Sequence, residues 1–185
     1  MPPLTHGDMT YARYDGYADR DGVATQSRTA TYARADMRVS SWRWEGVPFV
    51  LRSGKHMPER ETRIDVFFRH SPVCLFHDDD GECLGHGNVL TVRLQPDEGF
   101  RLRFSVKVPG ERVDVHDQEL GFDYSDRYAP FSDAYATLIR DVVEGDPTLF
   151  VRDDEVLASW RIWDAVLEPP GEVGTYAPGT DPDLG

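Results

Sequence analysis

Lys55 and Arg60 stand five residues apart, just beyond the apolar run Val47–Leu51, with Arg52 before them and Arg93 on a later apolar stretch. Four cations near the ends of neighbouring strands can take a phosphorylated or carboxylated small molecule. Lysine brings a mobile point charge and arginine a planar fork. Gln95 adds an amide that both donates to and accepts from hydroxyls. Together they read as a sugar phosphate site. The competing reading is that these cations pair with Glu59, Glu61 and Asp65 on the surface. The residues alone leave both open.

Other reactive side chains carry less. Cys74-x-x-His77 and Cys83-x-x-His86 supply two thiols and two imidazoles, a set that suits tetrahedral zinc. Their separation matches no common zinc knuckle, so an incidental hairpin loop is the favoured reading. Asp78-Asp-Asp80 reads as a solvated loop tip rather than a cation site. His116 lies between Asp114 and Asp117, but no nucleophile can be assigned beside it, and a surface or dimer-contact role is expected. His56 and Glu59 form a weak acid–base pair beside Lys55. Gly85-His-Gly87 opens a strand and lacks the third glycine of a dinucleotide loop; Ser53-Gly54-Lys55 lacks the rest of a phosphate-binding loop. Gly-x-Ser-x-Gly and His-Glu-x-x-His do not occur.

These residues must be positioned by strands. Residues 29–39 alternate, with Thr29, Thr31, Ala33, Ala35, Met37 and Val39 on one face and Arg34, Asp36 and Arg38 on the other. Val47–Leu51 reads as a strand ending in a turn at Ser53-Gly54-Lys55. Thr62–Arg69, Asn88–Gln95 and Gly99–Val108 follow, the last two as a hairpin across Pro96-Asp-Glu-Gly. Arg112–Val115 reads as a short strand. Helical spacing then takes over. Ala134, Leu138, Ile139 and Val142 share one face, with Ser132 or Asp133 to cap the start and Gly145 the end. Asp153–Leu167 forms a second helix, with Val156, Trp160, Trp163 and Val166 expected inward. Strands followed by helices predict an α+β fold, a mainly antiparallel sheet with helices on one face. Residues 1–27 read as an irregular arm, 28–168 as the domain and 169–185 as a surface tail.

The chain has 33 acidic and 20 basic residues among 185, a formal charge of −13. That surface repels phosphate backbones and anionic lipid, which argues against nucleic-acid and membrane partners. No stretch approaches the ~18 apolar residues of a membrane span, and the N-terminus lacks the pattern of a signal peptide. Two cysteines are too few for a disulfide scaffold and fit a reducing, cytoplasmic setting.

Longer motifs point to a family. Trp42-Arg-Trp-Glu-Gly-Val-Pro-Phe-Val-Leu-Arg-Ser-Gly-Lys55 resembles the glucose-6-phosphate dehydrogenase pattern W-x-G-V-P-F-x-x-R-x-G-K. Asn88-Val-Leu-Thr-Val-Arg-Leu-Gln-Pro-Asp-Glu98 resembles its N-x-L-x-x-R-x-Q-P-x-E stretch. Asp133-Ala-Tyr135, Asp141, Gly145-Asp146, Leu149-Phe150, Asp154-Glu-Val156 and Trp160-Arg-Ile162 follow its closing helices. The resemblance runs from about Tyr14 to Leu184 and concerns the C-terminal domain only. The N-terminal Rossmann half and the segment bearing the catalytic histidine have no counterpart here.

The resemblance implies the substrate-binding and dimerisation domain of an oxidoreductase of carbohydrate metabolism, which converts glucose 6-phosphate to 6-phosphogluconolactone with NADP. It assigns Lys55, Arg60 and Gln95 to glucose 6-phosphate. It sets Arg52 and Arg93 where some members hold a second, structural NADP. Glu61 and Asp65 stand where that site expects basic residues, so no cofactor is expected on this chain alone. NADP is implied only for a full-length or complemented enzyme. The implied partners are glucose 6-phosphate, a Rossmann-domain half and a second copy through the sheet. The alternative is a stand-alone protein that reuses the domain as a sugar phosphate-binding or regulatory module, or as a small enzyme with cofactor-free chemistry.

Overall fold

In a computed structural model, residues 1–24, 26–77, 80–110, 114–128 and 134–182 are described. Among the described residues, eight strands form two four-stranded sheets, where the sequence predicts one. The chain divides into one unit of Met1–Glu59 with Leu138–Gly185 and another of Arg60–Thr137.

The first unit holds β1 (Met9–Tyr14), β2 (Tyr32–Arg38), β3 (Pro48–Gly54) and β8 (Gly174–Tyr176), in the order β3-β2-β1-β8. β1–β2 and β2–β3 are antiparallel, whereas β8 runs parallel to β1. Side chains alternate across a strand, so even- and odd-numbered positions of β1 and β2 supply opposite faces. Ala12, Tyr14 and Tyr32 meet Tyr176 in one buried cluster, with Tyr17 and Met57 against it. Ala35 meets Leu4 and Val166 in another, with Met9, Met37, Ile162 and Trp163.

The second cluster is where a helix covers the sheet. α2 (Asp153–Trp163) runs into a short 3-10 turn at Asp164–Val166. Its last turn delivers Ile162, Trp163 and Val166 to the sheet, and Tyr11 donates its hydroxyl to the Val166 carbonyl at 2.6 Å. Val156 and Trp160, expected inward, are instead 40% and 52% exposed; the contact is made by the C-terminal end of the helix alone.

α1 (Ala134–Glu144) ends as predicted. Gly145 takes φ 72°, its N–H reaches the Val142 carbonyl, and the Asp146 N–H reaches the Asp141 carbonyl at 2.9 Å. This is a Schellman closure, and it satisfies carbonyls the helix end would leave unpaired. Ser132 and Asp133, the predicted start caps, lie outside the described residues. Ile139, Val142 and Val143 on this helix are exposed.

The second unit is a fully antiparallel meander, β4 (Thr62–Phe67), β5 (Val89–Gln95), β6 (Gly99–Lys107) and β7 (Val115–Asp123). The predicted β5–β6 hairpin is present, with a cis bond before Pro96. Its apolar side chains stay half in solvent: Ile64, Val66, Phe100 and Leu120 are all exposed.

Five sequence readings are corrected. Met9–Tyr14, inside the expected arm, is a central strand, and Gly174–Tyr176, inside the expected tail, is its parallel neighbour. Both are short and take their register from distant partners, which local alternation does not reveal. β7 runs nine residues, mostly polar, where only 112–115 was read as strand; Arg112 lies outside the described residues. β3 runs through Ser53 and Gly54, so the turn begins at Lys55. Cys74 and Cys83 are joined in a disulfide, rather than standing as two reduced thiols.

Candidate functional site

Lys55 sits immediately after β3, at the start of a turn fixed from three sides. Its N–H donates to the Thr31 carbonyl at 2.8 Å, and its own carbonyl accepts the Tyr176 hydroxyl at 2.6 Å. One residue on, the His56 carbonyl accepts the Gly179 N–H at 2.8 Å. Tyr176 is 6% exposed, so its hydroxyl is bonded with little competition from water. Gly54 has no room for a side chain: a Cβ there would lie 2.6 Å from the Met57 sulfur and 3.1 Å from the Tyr32 ring. The backbone carrying Lys55 is thus set, while its side chain stays exposed. Among the described residues the Lys55 ammonium makes no ion pair.

His56 completes the turn. It adopts φ 50°, a left-handed conformation unusual for a residue with a side chain. Its ring packs edge-on against Tyr14, centroids 4.5 Å apart. Its Nε2 lies 3.2 Å from the Arg20 guanidinium. A guanidinium only donates, so Nε2 is the acceptor in this contact. His56 is engaged by Arg20 and Tyr14, and among the described residues no hydrogen bond joins it to Glu59.

The other predicted cations divide between the units. Arg52 on β3 belongs with Lys55 in the first and pairs with Asp181 at 3.3 Å. Arg60, Arg93 and Gln95 belong to the second. Gln95 closes β5 opposite Thr62, and Arg93 stands opposite Arg63. Arg93 pairs with Asp123, which also takes Arg101 at 2.5 Å. The Arg101 hydrogen bond, with the charges of Arg101 and Arg93, holds the Asp123 carboxyl below its usual range against the desolvation that opposes it.

Glu61 and Asp65 do neutralise a cation, but it is Arg63. Its Nη1 reaches Glu61 at 2.6 Å and its Nε reaches Asp65 at 2.9 Å. Asp65 is held further by the Thr91 hydroxyl at 2.7 Å. Arg60, like Lys55, makes no ion pair among the described residues. The cations expected at substrate are thereby separated from those engaged by carboxylates. Two residues of consequence escaped sequence reasoning, Tyr176 and Arg63. Arg63 is signalled by its flanking acids at i±2 on one strand face; Tyr176 has no local signal.

The zinc alternative loses its two thiolates to the disulfide, which joins Cys74 and Cys83. His77 pairs through its backbone with Cys83, and His86 places Nδ1 3.2 Å from Asp117. His116 lies 3.2 Å from Asp114 on the exposed β7. Asp78 lies outside the described residues. Among the described residues no cluster of three or more His, Cys, Asp or Glu side chains forms a metal cage.

Comparison with known proteins agrees along nearly the whole chain. Residues 4–183 match the sequence model of the glucose-6-phosphate dehydrogenase C-terminal domain. Glucose-6-phosphate 1-dehydrogenase of Treponema pallidum is 39% identical over 153 residues, covering 82% of this chain and 30% of the relative. The cytoplasmic glucose-6-phosphate 1-dehydrogenase 6 of Arabidopsis thaliana is 35% identical over 185 residues, covering 96% and 35%. A solved glucose-6-phosphate dehydrogenase in complex with its substrate glucose-6-phosphate superimposes with a TM-score of 0.85 at 33% identity, over 98% of this chain and 40% of that one. The Mycobacterium avium glucose-6-phosphate 1-dehydrogenase gives 0.80 at 31% identity, over 97% and 37%. The chain spans about a third of the length of the curated relatives it matches.

Proposed function

The chain belongs to the glucose-6-phosphate dehydrogenase family by its C-terminal domain, and from that premise we propose that it contributes substrate contacts and an association surface to glucose 6-phosphate oxidation. The observation that carries this reading is the Lys55 turn: a fixed backbone presenting an uncommitted ammonium in a chain of charge −13. A point charge on a set base suits a phosphate dianion, because the turn is ordered before the ligand arrives and less entropy is lost on binding. In the second unit, the family resemblance assigns Arg60 to phosphate and Gln95 to sugar hydroxyls.

The hydride step lies outside these residues. NADP supplies the hydride acceptor when bound to a Rossmann half, and no histidine here stands in the family's catalytic context. A second NADP fits this chain poorly. Arg52 and Arg93 already face Asp181 and Asp123, and Arg63, the cross-strand partner of Arg93, faces two acids. A nucleotide phosphate there would have to displace carboxylates from their partners.

The exposed apolar side chains support association. Ile139, Val142, Val143 and Trp160 suit cover by a Rossmann half, and Ile64, Val66 and Leu120 on the second sheet suit a second copy. A cytoplasmic setting follows the name of the Arabidopsis relative, the cytoplasmic glucose-6-phosphate 1-dehydrogenase 6. No helix among the described residues is long and apolar enough to cross a membrane.

The test is calorimetric titration with glucose 6-phosphate, with Lys55→Ala beside the native chain. About millimolar affinity is expected from a few cation contacts, abolished by the substitution. In parallel, a complementing Rossmann half should restore NADPH formation. Binding that Lys55→Ala leaves intact would sink the assignment.

A further inference from the structure

The second unit carries a crevice of about 430 Å³ at one end of its sheet, lined by none of the residues assigned to substrate. That volume lies within the range of small-molecule sites. Three strands build its floor in one row: Phe67 pairs with Val89, and Val89 with Arg103. Cross-strand partners share a face, so an aromatic ring, an aliphatic side chain and a guanidinium stand side by side. The β4–β5 loop builds the wall, since its two ends place His70 and His86 at the rim.

The wall is organised. His86 donates its backbone N–H to the Ser105 hydroxyl at 3.0 Å and sets Nδ1 3.2 Å from Asp117. Ser105 donates in turn to the same Asp117 oxygen at 2.9 Å. Ser105 and Asp117 are themselves a cross-strand pair of β6 and β7. The Ser105 hydrogen bond first, and His86 second, keep the Asp117 carboxyl below its usual range, with the Arg103 charge a lesser help. Asp117 thus anchors the imidazole through Nδ1, and among the described residues Nε2 makes no hydrogen bond. At the junction, a Cβ on Gly87 would lie 3.0 Å from the Phe68 carbonyl and 3.4 Å from the His70 ring. Glycine therefore lets loop and strand close up, and brings His70 against the crevice. The disulfide Cys74–Cys83 staples the loop between the two histidines.

We propose that this crevice binds a small organic anion with a flat apolar body, an aryl phosphate or carboxylate, its ring over Phe67 and Val89 and its charge toward Arg103 and His86. Arg103 makes no ion pair among the described residues. Its cross-strand neighbour Glu119 turns to Arg101 instead, at 3.4 Å. The anion would meet one carboxylate, Asp117, already turned to Ser105 and His86. The site is independent of the glucose 6-phosphate reading, since it shares no residue with it.

The experiment is a titration of the full isotope-labelled chain with phenyl phosphate, read at the Gly87, Asn88 and Val89 amides. Inorganic phosphate and phenol serve as half-ligands. Saturable binding at about millimolar ligand is expected, at least tenfold tighter than either half. Arg103→Gln should weaken it about tenfold and His86→Gln less, while Lys55→Ala leaves it unchanged. Arg103 is exposed, so its replacement should not cost the fold. No saturation by about 20 mM, equal binding of inorganic phosphate, or an unchanged Arg103→Gln would each overturn the proposal.

Discussion

The Lys55 turn is held by hydrogen bonds to main-chain atoms, one of them from a tyrosine that is 6% exposed. The His86 wall is held by side-chain bonds among groups that water reaches, the His86 side chain being 72% exposed. The sheets beneath them differ in the same way. On β1 and β2, Ala12, Tyr32 and Ala35 are at most 3% exposed, whereas Ile64 on β4 is 52% exposed. A buried bond resists exchange with water and fixes one geometry; an exposed one is traded for solvent at little cost. The first region suits a ligand whose contacts must stand ready in place. The second suits one whose site can open, with a covalent staple standing in for a core.

That contrast can be broken most directly by reducing Cys74–Cys83. Closing a loop of nine residues' separation contributes about 2.5 kcal/mol on a chain-entropy account. Reduction should therefore raise hydrogen exchange in the second unit by that amount and leave the Tyr32 and Ala35 amides protected. Equal loosening of both units would show that the staple serves the whole chain.

Next in size is Val166→Ala, which removes methyls from a cluster in which Val166 is 3% exposed. About 2 kcal/mol should be lost in urea unfolding. Val66→Ala on the open sheet, at 41% exposure, should cost under about 0.5 kcal/mol. Similar costs at the two sites would mean that the second sheet is covered in solution.

Tyr176→Phe keeps the ring and leaves the Lys55 carbonyl unpartnered among buried rings. About 1 kcal/mol is expected, together with weaker glucose 6-phosphate binding while Lys55 itself is intact. If affinity is untouched while stability falls, Tyr176 is packing alone and does not position Lys55.

The smallest effect is with acid. The Asp117 and Asp123 carboxyls are lowered by hydrogen bonds from Ser105 and Arg101. A depressed carboxyl contributes stability above its unfolded pKa of about 3.9 and loses it as pH falls through the lower folded value. Far-UV and near-UV signals followed below about pH 4 should show β6–β7 loosening before the first sheet. Loss of the first sheet ahead of it would contradict the comparison.

What was legible in the sequence follows the same divide. The β5–β6 hairpin shows in local alternation around Pro96–Gly99, and the end of α1 shows in Gly145, because both are decided within a few residues. β1 and β8 were hidden, since each is short and paired by chain segments far away. β7 was hidden because an open sheet does not require an apolar face. The candidates Lys55, Arg60 and Gln95 came from spacing and from the family motifs. The carboxylates that engage Arg52, Arg93 and Arg63 depend on strand register. Asp181 and Asp123 lie 129 and 30 residues from the cations they meet.

The bond from Tyr176 to Lys55 spans 121 positions, and that bears on biosynthesis. On a ribosome, chain is added from the N-terminus, and contacts of long sequence separation form last. Lys55 emerges early, yet its turn cannot lock until β8 and Gly179 have been translated. A chain stalled or clipped before Gly174 would carry the signature motif intact while lacking the clamp that seats it. On the proposed reading, the clamp that seats Lys55 is complete only once residues 174–179 have been added.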